Sequence, residues 1–286
     1  MPPVYYPLNA EENEIRLITI IPGRHWDQIE CRLETHSLEK VAPTYQAFVS
    51  SNDLTSLGDP VALERWIENR LPPALAKLKP LERVHSTQPL AELHRFLWGD
   101  FVALSYVWGD KANTREIVVN KQKLHVTASL ERILRDFRNA GEFSGRCRVW
   151  IDALSINQAD LEERAAQIQR MPAIYGMAWT VVADMGAASA RSTAALSLVQ
   201  DFATFRELSC EQEIERLLRA DSRALGTVNW LGLHELMQRP YWFRLWIIQE
   251  LVMGGSRVWI RCGDAVLDWS TFCTGIRGKE IYATCK

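Results

Sequence analysis

The chain has 286 residues, of which 47% are hydrophobic and 24% are charged, and its formal net charge at pH 7 is −2. These fractions are typical of a folded globular protein and argue against a disordered chain. The charge is too small to provide a basic field for nucleic acid or anionic lipid, so we expect neither as a partner.

Cysteine and histidine are both scattered along the sequence. The six cysteines form no C-x-x-C pair, and together with the six histidines they show no metal-ligand spacing, so we predict no metal site. The N-terminus lacks the pattern of a signal peptide, and no apolar run reaches the length of a membrane span. We therefore expect reduced thiols in a cytoplasmic protein without a membrane span.

The first hundred residues are interpreted as an N-terminal extension, 1–100. A β-branched run at residues 15–21 ends at a Pro-Gly pair and predicts a strand, and residues 31–34 predict a second strand. A helix is predicted at residues 59–71, because Asp-Pro opens this segment and Pro-Pro follows it.

The next segment combines a buried strand, a hairpin and a helix. Residues 101–107 predict a strand, and residues 117–119 and 124–126 flank a polar turn and predict a hairpin. Thr127 or Ser129 is then placed to cap a helix. The apolar residues of this helix at helical spacing are Leu130, Ile133, Leu134 and Phe137.

The clearest signal in the sequence is a strand followed by a capped helix. Residues 149–154 are an apolar run with Asp152 as the one charge, which predicts a strand covered on both faces in a parallel sheet. Asp160 is predicted to cap the following helix, with Glu163 completing a capping box. Pro172 is expected to end or kink that helix.

The last part of the sequence contains further strands and helices. Residues 180–183 predict a third core strand, and residues 187–238 predict a mostly helical insertion. A helix is predicted at residues 241–253, because a proline precedes it and a Gly-Gly pair follows it. Residues 257–262 predict a late strand.

Strands that alternate with helices predict an α/β fold with a parallel sheet flanked by helices. Extra β elements are expected at the N-terminus, and the helical insertion at 187–238 interrupts the core. We assign residues 101–265 to the domain core and residues 266–286 to a C-terminal tail.

Glu250 is the most informative single residue of the sequence. Helical spacing places it in line with three apolar residues, Phe243, Trp246 and Ile247. Burial makes a charge costly, so this carboxylate should be either paired or functional. The structural interpretation is an ion pair with an arginine such as Arg239 or Arg244, and the alternative is a functional role that helical spacing does not specify.

Polar residues at the ends of the predicted strands are candidates for ligand binding. The end of the first core strand carries residue types that can cradle a nucleotide, although ordinary turns use them too: Ser105, Tyr106, Trp108, Gly109 and Asp110. The loop with Asn157 follows the second strand, at the end where ligands bind in such sheets. Asp152 and Gln158 are assigned structural roles. Rossmann, P-loop, hydrolase and zincin motifs are absent from the sequence, so these chemistries have no support.

Three blocks of the sequence together resemble the fungal heterokaryon incompatibility (HET) domain. They are ALSYVWGD at 103–110, WIDALSINQADLEERAAQIQRMPAIY at 150–175 and RPYWFRLWIIQEL at 239–251. The chain departs from the family after the third strand, where residues 183–186 read Ala-Asp-Met-Gly instead of the usual Trp-Leu-Gly ending. The resemblance implies a cytoplasmic fungal module that triggers cell death when incompatible nuclei meet, with self-association and an incompatibility partner protein.

HET domains are in turn similar to TIR domains, which implies a TIR-like, flavodoxin-like sheet. Residues 104–110 resemble the first strand and loop of a plant TIR domain, and residues 246–251 resemble the TIR helix whose glutamate is needed for NAD⁺ cleavage. This likeness falls on Glu250 and implies NAD⁺ as a substrate, with no bound cofactor.

The same likeness suggests roles for the residues around Glu250. Trp108 or Trp246 would stack on a ring of the substrate. Ribose or phosphate would be held by Ser105, Asn157 and Arg164.

Two functional hypotheses remain open on the sequence. The first is an NAD⁺-consuming enzyme whose activity starts cell death, with Glu250 as its catalytic acid. The second is a non-enzymatic signalling module that assembles through its surfaces and recruits other proteins.

Overall fold

A computed structural model of the chain describes residues 3–38, 101–140, 147–207 and 227–284. The strands in these ranges are β1 (Glu14–Ile20), β2 (Glu30–Ser37), β3 (Val102–Tyr106), β4 (Thr114–Val119), β5 (Gln122–Thr127), β6 (Arg148–Trp150), β7 (Thr180–Asp184), β8 (Val258–Cys262) and β9 (Ala265–Asp268). The α-helices are α1 (Ala128–Ala140), α2 (Asp152–Ser155), α3 (Leu161–Met177), α4 (Ser192–Glu207), α5 (Thr227–Met237), α6 (Ile247–Gly254) and α7 (Trp269–Thr284). Two 3₁₀ turns cover Pro240–Phe243 and Gly255–Arg257.

The chain folds into two compact units, each of which collects separate parts of the sequence. The first unit comprises Met1–Phe101, Glu116–His125 and Leu134–Arg164. The second unit comprises Val102–Arg115, Val126–Ile133 and Ala165–Lys286.

The first unit is built on strands in the order β5-β4-β2-β1-β6. β1 is antiparallel to β2 and to β6, whereas β2 is parallel to β4. The apolar run of β1 is buried, as its β-branched sequence predicts. Asn120 and Lys121 join β4 to β5 with φ angles of 50° and 66°, a left-handed conformation typical of a tight hairpin turn. The two N-terminal strands and this hairpin confirm the sequence prediction.

The second unit contains the parallel strands of the predicted core. β3, β7 and β8 are parallel in the order β3-β7-β8, and β9 is antiparallel to β8 at the edge. Every residue of β3 is buried, which fits its continuous apolar sequence. α6 packs against β7, and α7 packs against α4, β8 and β9. The α/β fold class, with N-terminal strands and inserted helices, is therefore confirmed.

The predicted strand at 149–154 is shorter than expected. β6 ends at Trp150 and pairs antiparallel with β1, and Asp152 begins the four-residue helix α2. The Ser155 hydroxyl accepts a hydrogen bond from the Ile151 N–H, and the Asp152 carboxylate accepts one from the next N–H. These polar side chains satisfy the backbone locally, so the chain leaves the ladder after three residues.

Two helix predictions differ from the structure. Pro172 is expected to end or kink α3, and the helix does not end there but continues to Met177, with Met171 and Ile174 buried on either side of the proline. The helix predicted at 241–253 is instead a 3₁₀ turn followed by α6, which begins only at residue 247.

Several predictions lie outside the described residues, among them the helix at 59–71 and the part of the insertion at 208–226. α7 and all of β9 except Ala265 lie in the stretch predicted as a C-terminal tail, 266–286. Cys31, Cys147, Cys262 and Cys273 are free thiols. In the described ranges, no helix is both long enough and apolar enough to cross a membrane.

Gly254 should not tolerate a side chain, because it lies where α6 packs on the sheet. A Cβ atom there would be 2.5 Å from the Val258 Cγ2 and 2.8 Å from the Val181 Cγ2. We expect Gly254→Ala to lower the free energy of unfolding by about 1–3 kcal/mol through overpacking. Gly176 in α3 is the matched control, since a Cβ there meets no atom within 4 Å. Gly176→Ala should be neutral or stabilising in the same urea titration, and an equal loss in both variants would contradict the packing account.

Candidate functional site

The candidate site lies in the second unit, where α6 covers one face of the parallel strands. Glu250 is in the first turn of this helix, and its side chain is only 1% exposed. A carboxylate with so little water around it is destabilising unless other groups compensate its charge. The burial predicted for Glu250 from the sequence is therefore confirmed, and its partners define the site.

Two side chains hold the Glu250 carboxylate directly. The Arg244 guanidinium donates from one terminal nitrogen to Oε1 at 3.1 Å and from the other to Oε2 at 3.3 Å. The Ser105 hydroxyl, from the end of β3, donates a short hydrogen bond to Oε2. The Ser105 Oγ also lies 2.6 Å from the Tyr241 hydroxyl oxygen. We call these four residues the Glu250 network.

The proton positions in the network follow from hydrogen-bonding capacity. A serine hydroxyl has one proton, and Ser105 gives it to the carboxylate, which can only accept while it is ionised. Ser105 must then accept from Tyr241 in the second contact. Burial raises the pKa of Tyr241, so this phenol keeps its proton at neutral pH. The chain of donors runs from Tyr241 to Ser105 to Glu250.

The break between the 3₁₀ turn and α6 makes the Arg244 contact possible. Residues six apart in a continuous α-helix lie on different sides of it. Arg244 instead has extended backbone angles, φ −81° and ψ 133°, so its side chain turns back toward Glu250. Trp242 anchors the turn by stacking on two aromatic rings of α7, Trp269 and Phe272.

The structure distinguishes between the two arginines proposed as partners of Glu250. Arg244 makes the ion pair, whereas Arg239 donates to the carbonyls of Met185 and Ala187 and to the Ser192 hydroxyl. Phe243 and Trp246 do not share the buried face expected from helical spacing. They are 73% and 45% exposed. The extended backbone at Arg244 separates Phe243 from α6, whereas Trp246 caps the start of α6 on its exposed side.

The predicted nucleotide cradle at residues 105–110 comprises the last two residues of β3 and the loop that follows, and its side chains face different ways. Ser105 points to α6, and alternation along the strand places the buried Tyr106 on the opposite face of the sheet. Gly109 has a φ of 79°, which glycine adopts without strain. The Asp110 carboxylate accepts the N–H of Ala112 inside the turn.

Trp108 lies beside this turn and is half-buried. The Lys111 ammonium stands 6.0 Å from the centre of its ring. Trp246, the other predicted stacking residue, lies one turn before Glu250, whose N–H donates to the Trp246 carbonyl.

A second buried acid, Asp184, ends β7 and was not among the predicted site residues. Its register pairs it with Tyr106 on one side and with Arg261 on the other. Burial raises the pKa of Asp184, although two arginines oppose this effect: Arg132 at 2.5 Å and Arg261 at 3.7 Å. The sequence indicates Asp184 only indirectly. It lies at residues 183–186, where the chain departs from the usual HET sequence.

The remaining predicted residues belong to the first unit. Glu163 has its carboxylate 2.6 and 2.9 Å from the Arg16 guanidinium, and it also accepts the Asn157 N–H at 2.7 Å. Asp160 caps α3 by accepting the N–H of Glu163, as predicted, but Glu163 does not complete the capping box and binds Arg16 instead. Arg164 is exposed on α3.

Asp152 and Gln158 make short-range contacts in the same loop of the first unit. Gln158 donates from its side-chain amide to the Asp152 carbonyl at 2.9 Å. The Asp152 carboxylate accepts the N–H of Ala153 at 2.7 Å. Across the described ranges, no group of three or more His, Cys, Asp or Glu side chains is arranged to hold a metal ion.

Comparison with known proteins identifies the family. The family model of the heterokaryon incompatibility protein (HET) matches residues 101–250, from the residue before β3 to Glu250. The chain belongs to the heterokaryon incompatibility family. It is 31% identical over 202 residues to heterokaryon incompatibility protein 6, OR allele, of Neurospora crassa.

That match covers 58% of this HET chain and 29% of the Neurospora protein. The chain therefore spans less than a third of the length of this relative. No solved structure gives a significant match. The matched family segment contains Ser105, Tyr241, Arg244 and Glu250, the four members of the Glu250 network.

Glu163 is expected to stabilise the first unit in a pH-dependent way. Burial alone would raise the pKa of Glu163, but the hydrogen bonds from Arg16 and Asn157 outweigh it and lower this pKa below the ordinary value of 4.5. The stabilisation is therefore complete above about pH 4.5 and is lost as the pH falls through the lowered pKa. Glu163→Gln should cost about 3–5 kcal/mol at neutral pH, because Arg16 stays buried without its carboxylate.

Urea unfolding of Glu163→Gln beside the wild type measures this effect. The exposed neighbour Glu162 provides the control, since Glu162→Gln removes a charge from the same helix turn at a solvated position. The difference between Glu163→Gln and the wild type should shrink as the pH falls below 4.5. Equal losses in the two variants, or a difference that does not change with pH, would rule out the buried pair as the cause.

Proposed function

We propose that this HET chain acts in heterokaryon incompatibility by cleaving NAD⁺ at the bond between nicotinamide and ribose. Family membership and the name of the Neurospora relative support the biological role. The Glu250 network supports the chemistry, because it presents one carboxylate at the carboxyl end of a parallel strand, where ligands bind in α/β sheets.

The reaction requires little from the protein beyond charge and orientation. The bond between the ribose C1′ and the pyridinium nitrogen breaks, and its electron pair goes to the nitrogen, so nicotinamide leaves neutral without taking a proton. Positive charge develops on the ribose in an oxocarbenium-like state. Water then adds to C1′ and loses a proton. A carboxylate beside the ribose stabilises the charge that develops in the transition state.

The main support for NAD⁺ cleavage is the way in which other side chains hold Glu250. Its carboxylate is desolvated, and Ser105 fixes one of its oxygens from the rigid strand β3. A charge in a dry site interacts more strongly with a developing cation than the same charge in water. Tyr241, which donates to Ser105, orients the serine without touching the carboxylate itself.

Glu250→Gln should abolish nicotinamide release from NAD⁺, with a loss of about a hundredfold or more, because the amide keeps the shape of the side chain but has no negative charge. The purified protein is incubated at high concentration with NAD⁺, and nicotinamide is quantified by chromatography. Toxicity of the expressed chain should be lost in parallel.

Glu235→Gln is the matched control, since it makes the same replacement on a surface ion pair of the second unit whose side chain is 42% exposed. This control should keep wild-type activity. Circular dichroism must show that both variants are folded. A folded Glu250→Gln protein that still releases nicotinamide would exclude Glu250 as the catalytic acid.

The exposed apolar residues around α6 favour a second candidate function, signalling by self-association. Five large apolar side chains here are 45–78% exposed: Phe243, Leu245, Trp246, Ile248 and Val252. Exposed apolar groups in one segment are typical of a protein–protein surface. In this second function, the partner that binds these exposed residues is a second copy of the chain.

Charged replacements at Leu245 and Ile248 separate the two functions. Lysine at these exposed positions should block self-association without disturbing the core. If variants that no longer associate still kill cells, assembly is not the cause of death. If toxicity disappears together with association while nicotinamide release is unchanged, the signalling function replaces the enzymatic one.

A further inference from the structure

Arg244 is the member of the Glu250 network that faces solvent. Its side chain is 18% exposed, whereas the Glu250 side chain is 1% exposed, and Ser105 and Tyr241 are fully enclosed. A ligand that approaches the carboxylate from solvent therefore meets the guanidinium first. The chemistry of Arg244 then decides which class of molecule is accepted.

The contacts of Arg244 suit an exchange of partners. Its two hydrogen bonds to Glu250, at 3.1 and 3.3 Å, are longer than the roughly 2.7–2.9 Å that is usual for charge-assisted pairs. The planar guanidinium matches phosphate oxygens as well as it matches a carboxylate. A phosphate group can therefore take the place of Glu250 on the same two nitrogens.

The backbone at Arg244 is not part of a helix, and its guanidinium stands 5.8 Å from the centre of the Tyr241 ring. The residue follows the 3₁₀ turn and precedes α6, so it has extended angles and no place in a helical hydrogen-bond ladder beyond the closing bond of the turn. Glu250 keeps its Ser105 hydrogen bond from β3 when Arg244 turns away. The carboxylate then remains fixed while one side of it is opened.

We propose that Arg244 recognises the diphosphate of the dinucleotide and that this binding moves the guanidinium from Glu250 to phosphate, which frees the carboxylate for the ribose. The inference rests on the proposed NAD⁺ cleavage and assigns its substrate specificity to a named residue. Nucleotides that carry a diphosphate are accepted, and a nucleoside without phosphate is not. In the resting protein, Glu250 competes with the ligand for Arg244.

Binding of ADP-ribose, measured by calorimetry, tests this competition directly, because ADP-ribose carries the diphosphate but has no nicotinamide to lose. Glu250→Gln removes the competing charge and leaves Arg244 in place. It should therefore bind ADP-ribose about tenfold more tightly than the wild type, which is the scale of one charge-assisted hydrogen bond. The double variant Glu250→Gln/Arg244→Gln should lose this gain and bind more weakly than Glu250→Gln.

Nicotinamide riboside, which has no phosphate, should not bind more tightly to Glu250→Gln than to the wild type. Arg191→Gln is the control for loss of an arginine from the second unit, since Arg191 pairs with Glu235 at the surface. It should bind ADP-ribose like the wild type. The inference is overturned if Glu250→Gln binds ADP-ribose no more tightly than the wild type, or if the double variant binds as tightly as Glu250→Gln.

These outcomes are independent of whether NAD⁺ is cleaved. Wild-type protein that releases nicotinamide, together with no gain in Glu250→Gln, would keep the enzymatic function and reject the role of Arg244. A clear gain in Glu250→Gln, together with no release by the wild type, would keep the diphosphate site and reject the enzymatic function.

Discussion

The second unit depends on one constraint, a carboxylate that is almost completely removed from water. Glu250 is tolerated there because Arg244 supplies a counter-charge and Ser105 supplies a short hydrogen bond. Each of these contacts depends on a larger feature of the fold. Arg244 needs the break before α6, which Trp242 anchors against α7, and Ser105 needs its place at the end of β3. The burial of this one carboxylate thus depends on a strand, a 3₁₀ turn and two helices.

The first unit contains a buried ion pair of the same kind but with a different role. Arg16 and Glu163 join β1 to the start of α3, and Asn157 and Ser155 bind to the same pair through their backbones. All of these contacts link chain segments to one another, which is the arrangement expected of a pair that holds a loop in place. The two pairs differ in which partner is exposed. In the Glu250 pair the carboxylate is 1% exposed and Arg244 is 18% exposed, whereas in the first unit Arg16 is 2% exposed and the carboxylate is 11% exposed.

Local periodicity was sufficient to predict much of the fold and the burial of Glu250. β1, β3 and α1 follow from apolar runs and helical spacing, because their residues pack as their own sequence indicates. The break at Arg244 could not be predicted, because it depends on a side chain six residues away and on aromatic rings of α7. Glu163 looked like a capping-box residue, yet its carboxylate turns to an arginine 147 residues earlier in the chain. Asp184 was missed for the same reason, since its partners become neighbours only after folding.

We propose that a dinucleotide binds at the Glu250 network. The most direct test of this proposal is a crystal structure of Glu250→Gln soaked with NAD⁺, since this variant should hold the substrate without cleaving it. We expect intact NAD⁺ with its nicotinamide ribose beside residue 250 and its diphosphate on the Arg244 guanidinium. NAD⁺ bound elsewhere, or Arg244 still bonded to the side chain at position 250 with no nucleotide at the network, would contradict it.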